Sequence, residues 1–327
     1  MIPHLRQGFY LLLMGFLLCL SGCSFGENPS FSKPEVTMTK KTAPFRIIGY
    51  APEWDVVSEQ IPYDLLTHIN YAFLLPRSDG SFEALKNPEK LSAIVSQAHA
   101  YQVSVLISIG GWGYDEQFEA LAADPARRAV FVQGAVRFAK EYSLDGIDID
   151  WEYPDPGESS HNFLALMQEL RSTLPPGGLL TAAVVSKGSL AESIPAEVFP
   201  LVDFLNLMAY DASLIDHSPY SLAEEALDYW QGRGLPVEKT VLGVPFYGRP
   251  DGVAYRTLVQ ADPNAAQRDV SEYAGKKVFY NGIPTMTRKT ELALRRTSGI
   301  MIWELAHDTS DSNSLLKAIY EAVHRKP

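Results

Sequence analysis

Four acids crowd one short stretch, LDGIDIDWEYP at residues 144–154: Asp145, Asp148, Asp150 and Glu152. The last three recur at every second position. On a strand they share one face, and Ile147, Ile149 and Trp151 share the other. Residues two apart on a strand lie roughly 6–7 Å apart, so neighbouring carboxyls can reach each other and share a proton. Like charges that close do not both ionise readily, and at least one pKa rises. An acid that stays protonated near neutral pH can donate to a leaving group. Two plainer readings compete. One is a structural network of buried acids, although no basic residue stands within the run to compensate it. The other is a metal site, since divalent cations take oxygen ligands, although the chain has no HExxH or EF-hand spacing. No metal and no cofactor is expected.

The elements that hold this stretch are legible as eight short apolar runs: FRIIGYA (45–51), THINYAFL (67–74), VSVLISIGG (103–111), DGIDIDWE (145–152), LLTAAVV (179–185), VDFLNLMAY (202–210), TVLGVPFYG (240–248) and GIMIWEL (299–305). Helical patterns alternate with them. Over 125–142, Val130, Phe131, Gly134, Phe138 and Tyr142 fall at spacings of three and four and predict one buried face. Further helices are predicted at 161–174, 284–296 and 314–325. Eight strands alternating with helices predict an α/β chain folded as a (β/α)8 barrel. The rival, a doubly wound sheet, calls for a G-x-G-x-x-G turn, and SIGGWG (108–113) lacks that spacing. In a barrel Ile147, Ile149 and Trp151 face the helices, so the acids point inward. Asp148 lies deepest. Glu152 lies near the C-terminal mouth, where barrel enzymes keep their chemistry.

With these residues in place, the chain resembles glycoside hydrolase family 18, the chitinase family. Asp145, Asp148, Asp150 and Glu152 match its DxxDxDxE signature. NYAF (70–73), SIGGW (108–112), MAYD (208–211), VPFYGR (244–249) and GIMIWEL (299–305) resemble its motifs on strands two, three, six, seven and eight. The likeness spans residues 45–325. It implies a hydrolase of β-1,4 linkages between N-acetylglucosamine units, acting with retention and with the substrate's own acetamido oxygen as nucleophile. By resemblance Glu152 is the acid/base. Asp150 orients the acetamido group and steadies the cationic intermediate. Asp148 shares a proton with Asp150, and Asp145 is structural. Tyr210 bonds the acetamido carbonyl. Asp211 contacts the reacting sugar or tunes Glu152. Trp303 floors the subsite, and Tyr71, Phe73 and Trp112 line the same pocket. Trp54 serves an outer sugar subsite, and Arg249 binds a sugar hydroxyl or Asp211. The seven histidines show no ligand spacing and read as solvated or core residues.

The chain also departs from the family. Many chitinases carry a sizeable α+β domain after the seventh strand, whereas here residues 250–282 leave room for a reduced insertion at most. A more open groove is expected, suited to internal cleavage. ASLIDHSPYS (212–221) lacks the glycine- and tryptophan-rich loop of many chitinases, which leaves the product-side subsites undefined. Two alternatives share the motifs: an endo-β-N-acetylglucosaminidase acting on N-glycans, and a dead-site protein that only captures chitin. The intact Glu152 counts against the second.

The N-terminus has a different texture. MIPHLRQGFYLLLMGFLLCLSGC has one arginine, then an apolar stretch from Phe9 to Leu20, then small residues, the pattern of a secretory signal peptide. LSGCS (20–24) resembles a bacterial lipobox. It predicts a signal peptide at 1–22, a lipidated Cys23, a polar tether to residue 43 and a catalytic domain at 44–327. Ser24 after the cysteine favours the outer membrane in a two-membrane bacterium. The only other cysteine, Cys19, lies in the predicted signal peptide. The 327 residues carry a formal net charge of -11, which argues against nucleic acid or bare anionic lipid as partner. The expected form is a lipid-anchored monomer in the bacterial cell envelope.

Overall fold

The computed structural model describes residues 45–325, so the predicted signal peptide, Cys23 and the tether lie outside the described residues. Eight parallel strands close into a barrel. They are β1 (Arg46–Pro52), β2 (His68–Leu74), β3 (Ser104–Gly110), β4 (Gly146–Asp150), β5 (Leu179–Val185), β6 (Phe204–Met208), β7 (Thr240–Pro245) and β8 (Gly299–Trp303). Each pairs with its neighbours in chain order, and β8 returns to β1 through Arg46 opposite Gly299. All eight predicted strands are present.

Alternation along β4 decides the layers. Ile147 and Ile149 are fully buried on the outer face, and Trp151, just beyond the strand, continues it. The Trp151 ring stacks on Phe118 at a centroid distance of 5.2 Å and meets Phe163 at 6.0 Å. Its indole N–H donates to Asp115 at 2.7 Å. This anchors the strand end to helices Asp115–Ala123 and Glu158–Thr173. The inward face is thereby left to Asp148 and Asp150.

Helix Pro125–Glu141 starts where its chemistry says it should. Asp124 accepts from Ala126 N at 2.8 Å and Arg127 N at 3.2 Å, with proline at the first helical position. Its buried face is Phe131, Val132, Ala135 and Ala139. Val130 was expected on that face but is 47% exposed. The buried stripe is turned toward Val132, Ala135 and Ala139, while Phe82 from the loop after β2 packs over Gly134 and against Phe131 at 5.1 Å.

The reduced insertion after β7 is a short antiparallel pair, Tyr247–Gly248 with Val253–Ala254, a helix Tyr255–Ala261, and a hairpin of Val270–Tyr273 with Lys276–Phe279. The chain then enters helix Ile283–Arg296, which leads to β8.

Asp145 ties the start of β4 to its surroundings. Its carboxylate accepts from Val105 N at 2.7 Å and meets His99 Nε2 at 2.9 Å. Hydrogen bonds to a charged group contribute roughly 1.5–3 kcal/mol each when well sheltered, and this one is partly exposed. Asp145→Ala is therefore expected to lose about 1–2 kcal/mol of stability while leaving turnover intact. Thermal melts together with initial rates check this. A melt at the wild-type temperature, or a collapse of turnover, would contradict it.

Candidate active site

The barrel register builds the site from the bottom. Asp148 on β4 sits opposite Ser108 on β3 and Thr181 on β5. Paired residues share a pleat direction, so both hydroxyls point inward with the carboxylate. Ser108 Oγ donates to Asp148 Oδ2 at 2.8 Å, and Thr181 Oγ1 donates to Oδ1 at 2.5 Å. Two further donors come from across the barrel: Tyr50 Oη on β1 at 2.7 Å and Asn206 Nδ2 on β6 at 3.3 Å. Burial raises the Asp148 carboxyl above the usual carboxylate range, and these four donors offset part of the rise. Four donors favour the charged form of an acceptor.

Asp150 is the contrary case. It is buried, and its Oδ1 has no hydrogen-bond partner among the described residues. Burial lifts its carboxyl well above the usual carboxylate range, and the charges of Glu152 and Asp148 add to the rise. Two adjacent acids in unlike surroundings divide their protons unequally. Asp150 therefore holds a proton more tightly than Asp148.

Glu152 lies two residues past the end of β4, in the wall of a cleft of about 1020 Å³ at the C-terminal mouth. Burial pushes its carboxyl up; the Tyr153 hydroxyl opposes this, and the charge of Asp211 adds to it. Gly110 and Gly111 let β3 come this close. Gly111 N donates to Asp150 O at 2.8 Å. A Cβ on Gly110, whose φ is +111°, would lie 2.4 Å from that same carbonyl oxygen. Only glycine fits both requirements.

Tyr210 and Asp211 follow β6 and line the same cleft. Among the described residues the Tyr210 hydroxyl donates only to Met301 Sδ, at 4.0 Å, a weak acceptor that a ligand oxygen can displace. Burial keeps that hydroxyl protonated. Asp211 has left-handed backbone, with φ +56°. Burial alone would raise its carboxyl, but bonds with His217, Arg249 and Tyr247 outweigh burial and hold it well below the usual range. Arg249 meets it in a fork, Nε to Oδ1 and Nη2 to Oδ2, both at 2.7 Å. Tyr247 Oη donates to Oδ2 at 2.7 Å. Of the two partners proposed for Arg249, the structure supplies Asp211.

Aromatic rings run along the cleft. Trp303 meets Tyr50 edge-on at 5.5 Å and stacks with Phe73 at 5.8 Å, and Phe73 meets Trp54 at 6.1 Å. Trp112 stands apart, 6.5 Å from the ring of Tyr153. Trp54 is 65% exposed and Trp112 80%. Exposed indole faces in a cleft offer flat apolar surface to the apolar face of a sugar ring.

One assigned residue is misplaced. Tyr71 does not line the cleft; it is fully buried with Ile69 in the outer layer between barrel and helices. Tyr71 and Phe73 are two apart, so simple alternation puts them on one face. A register irregularity between β2 and β3 at Ala72–Leu74 separates them and turns Phe73 inward. Other lining residues went unassigned from sequence: Tyr50, Tyr153, Tyr247 and His307. Tyr50 had a signal, since alternation from Ile48 places it inside the barrel. Tyr247 stood within the quoted VPFYGR. His217 is buried as expected of a core histidine, yet its Nδ1 lies 3.1 Å from Asp211 Oδ1.

Asp55, Glu304 and His307 bring ligand-type atoms within 4.8 Å of one another. Arg256 already faces Asp55 at 3.4 Å, and the His307 ring meets Glu304 at 2.8 Å.

A parallel (β/α)8 barrel with two neighbouring buried acids, a raised glutamic acid at its C-terminal mouth and a cleft lined with aromatic rings is an arrangement suited to cleaving a glycosidic bond. Residues 46–308 match the family model "Glycosyl hydrolases family 18", and the chain belongs to that family. It is similar to Chitinase 1 of Aphanocladium album, at 27% identity with 88% of each chain covered. It is 36% identical to a probable endochitinase of Caenorhabditis elegans over 53% of this chain, which is only 33% of that protein's length. Among solved structures it resembles a chitinase from Bacteroides thetaiotaomicron, with TM-score 0.79, 26% identity, and coverage of 87% of this chain and 98% of the other.

An acid that must donate its proton works below its own pKa. Since burial raises Glu152, the alkaline limb of the kcat/KM profile is expected above the free glutamate value of about 4.3. A pH profile on a soluble substrate reads this directly. A limb at the ordinary glutamate value would contradict the assignment.

Proposed function

We propose that this family 18 hydrolase cuts β-1,4 linkages between N-acetylglucosamine units of chitin or chito-oligosaccharides, with retention and with the substrate's acetamido oxygen as nucleophile. The observation that carries this reading is the state of the three carboxylates lining the cleft, Asp150, Glu152 and Asp211. Asp211 is engaged by Tyr247 and Arg249 and is not free to attack. Asp150 is buried and holds a proton. That leaves Glu152 as the acid and no enzyme carboxylate as nucleophile. A substrate that carries its own nucleophile resolves this, and the acetamido group is one.

The steps follow from the placements. Glu152 protonates the glycosidic oxygen as the bond to the anomeric carbon breaks. The acetamido oxygen bonds to that carbon and gives a cyclic cation. Tyr210 donates its hydroxyl to the acetamido oxygen and aligns it. Asp150 turns its unpartnered oxygen toward the acetamido N–H, and its proton moves toward Asp148, so negative charge arrives beside the developing cation. Glu152, now a carboxylate, takes a proton from water, which opens the ring with net retention. Trp303 floors the reacting sugar, Phe73, Trp54 and Trp112 extend the platform, and Arg249 acts by holding Asp211.

The intermediate insertion favours internal cleavage, because only its first residues, Tyr247, Arg249 and Gly252, reach the cleft wall. An endo-β-N-acetylglucosaminidase would use the same chemistry on N-glycans. The deciding experiment offers the purified protein chitohexaose and, separately, a high-mannose glycoprotein, with products weighed by mass spectrometry. Short chito-oligosaccharides are expected from the first. Whole glycans released from the second, with chitohexaose untouched, would replace this substrate with the N-glycan. Glu152→Gln is expected to bind chitohexaose and to lose turnover by about three orders of magnitude or more. Near-normal turnover would remove Glu152 from its role.

We also infer that Cys23 carries lipid and tethers a monomeric enzyme to the bacterial envelope, supported by LSGCS at 20–24 and by the polar segment that follows. Cys23→Ser is expected to move the protein into the soluble fraction. Retention with membranes would count against the anchor.

A further inference from the structure

Lys289 is a fully buried cation on helix Ile283–Arg296, outside the barrel. Burying an ammonium costs several kcal/mol unless its hydrogens are all taken. Here all three are. Nζ donates to Ser218 O at 2.7 Å, Ser218 Oγ at 2.8 Å and Asn281 Oδ1 at 2.7 Å. No carboxylate is among its contacts; Asp269 and Asp216 act only at longer range. Neither the acid chemistry nor the aromatic cleft uses this residue, so its cost has to be justified elsewhere.

The partners point to where. Ser218 is itself buried, and its hydroxyl donates to Ala209 O at 2.7 Å, directly before Tyr210. Asn281 Nδ2 donates to Ser218 O at 3.0 Å. Lys289 and Asn281 therefore pin the far end of the loop that begins at Asp211. Next to Ser218 stands His217. Its Nδ1 lies 3.1 Å from Asp211 Oδ1 and 3.4 Å from Asp211 N, and its Nε2 lies 3.2 Å from Tyr247 O. Ala212 N donates to His217 O at 3.2 Å, which closes the loop on itself. The loop bends at Asp211 with positive φ, a conformation a non-glycine residue holds only when its surroundings impose it.

We propose that Lys289 is a positioning residue for the reaction: through Ser218 and His217 it fixes Asp211, and with it the charge that faces Glu152. The inference rests on the assignment of Glu152 as acid. Burial pulls the ammonium of Lys289 down to about 7, opposed by Asp269 and Asp216. Glu152 is faced by Asp150 and Tyr153 from its own strand end and by Tyr210 and Asp211 from the loop after β6. Asp211 is faced in turn by Arg249, Tyr247 and His217. Of these, the lysine reaches Asp211 through Ser218 and His217, and it reaches the backbone before Tyr210 through the Ser218 bond to Ala209 O; Asp211 is the charged one.

The test compares wild type, Lys289→Met and Glu152→Gln in the full chain on chitohexaose, with kcat, KM, thermal melts and the pH profile. Lys289→Met keeps the aliphatic stem and removes the donors. It is expected to lower kcat about tenfold, because misplaced groups lose rate steeply. It is also expected to move the alkaline limb of kcat/KM down by about half a pH unit, because a displaced Asp211 no longer raises Glu152. Asp211→Asn should move the limb in the same direction, and the double variant should move it no further. A merely structural lysine would lower the melting temperature and leave the limb in place, and that result overturns the inference. If Lys289→Met does not fold, Ser218→Ala takes its place. It removes one acceptor and the bond to Ala209, and should move the limb the same way by a smaller step; an unmoved limb is again fatal. A wild type inactive on both chitohexaose and the high-mannose glycoprotein would overturn the assigned chemistry together with this inference; activity on the glycoprotein alone moves the same comparison to that substrate. An active wild type, a silent Glu152→Gln and an unchanged Lys289→Met would overturn this inference alone.

Discussion

A single carboxylate at the centre of the barrel sets the terms for the rest of the molecule. Asp148 is fully buried where a branched aliphatic side chain would ordinarily fill the interior. An isolated charge there would cost several kcal/mol. The barrel answers with donors from four other strands: Tyr50 from β1, Ser108 from β3, Thr181 from β5 and Asn206 from β6. Each occupies an inward position that packing alone would give to an apolar residue. The core is thus polar where it meets the site and apolar around it. Ile48, Ala72, Phe204, Val241 and Met301 form the small cluster that shields it.

That arrangement dictates the behaviour of the two acids above it. Asp148 is supplied with donors and Asp150 is not, so the neighbouring carboxyls differ in kind although they are the same residue type. In the proposed reaction that difference would let the proton of Asp150 move toward Asp148 as positive charge develops on the substrate. Glu152 differs because it lies past the strand end: burial raises its carboxyl, the charge of Asp211 adds to the rise, and its place in the cleft wall gives it access to a leaving group. Burial, strand spacing and register together sort three acids into three roles.

The mouth is organised by a second group of residues from later in the chain. Asp211 gathers Tyr247, Arg249 and His217 around itself, which joins the loop after β6 to the start of the insertion after β7. Lys289 and Asn281 hold that junction from behind. The insertion is small, but its first residues reach the cleft. Its hairpin of Val270–Tyr273 with Lys276–Phe279 lies outside the cleft lining. The insertion is short, and its first residues are tied to the loop after β6 through Asp211.

Much of this was determined by the sequence alone. The alternation of apolar runs and amphipathic segments dictated eight strands and their helices, because period two and period 3.6 are written in the side chains themselves. The D-x-D-x-E spacing dictated that three acids face one way, since a strand offers no other arrangement. What required the tertiary structure was every relation between distant segments. Tyr50 and Asn206 meet Asp148 across gaps of 98 and 58 residues, and no local pattern announces such a meeting. Tyr71 and Phe73 look equivalent by alternation, and only the slip in register against β3 sends one outward and the other into the cleft. His217 and Lys289 carry no motif, because their meaning lies in what other elements place beside them. Periodicity is a property of the chain and can be read along it. Which donor satisfies which buried charge is a property of closure, and it exists only once the barrel has brought its strands round to meet.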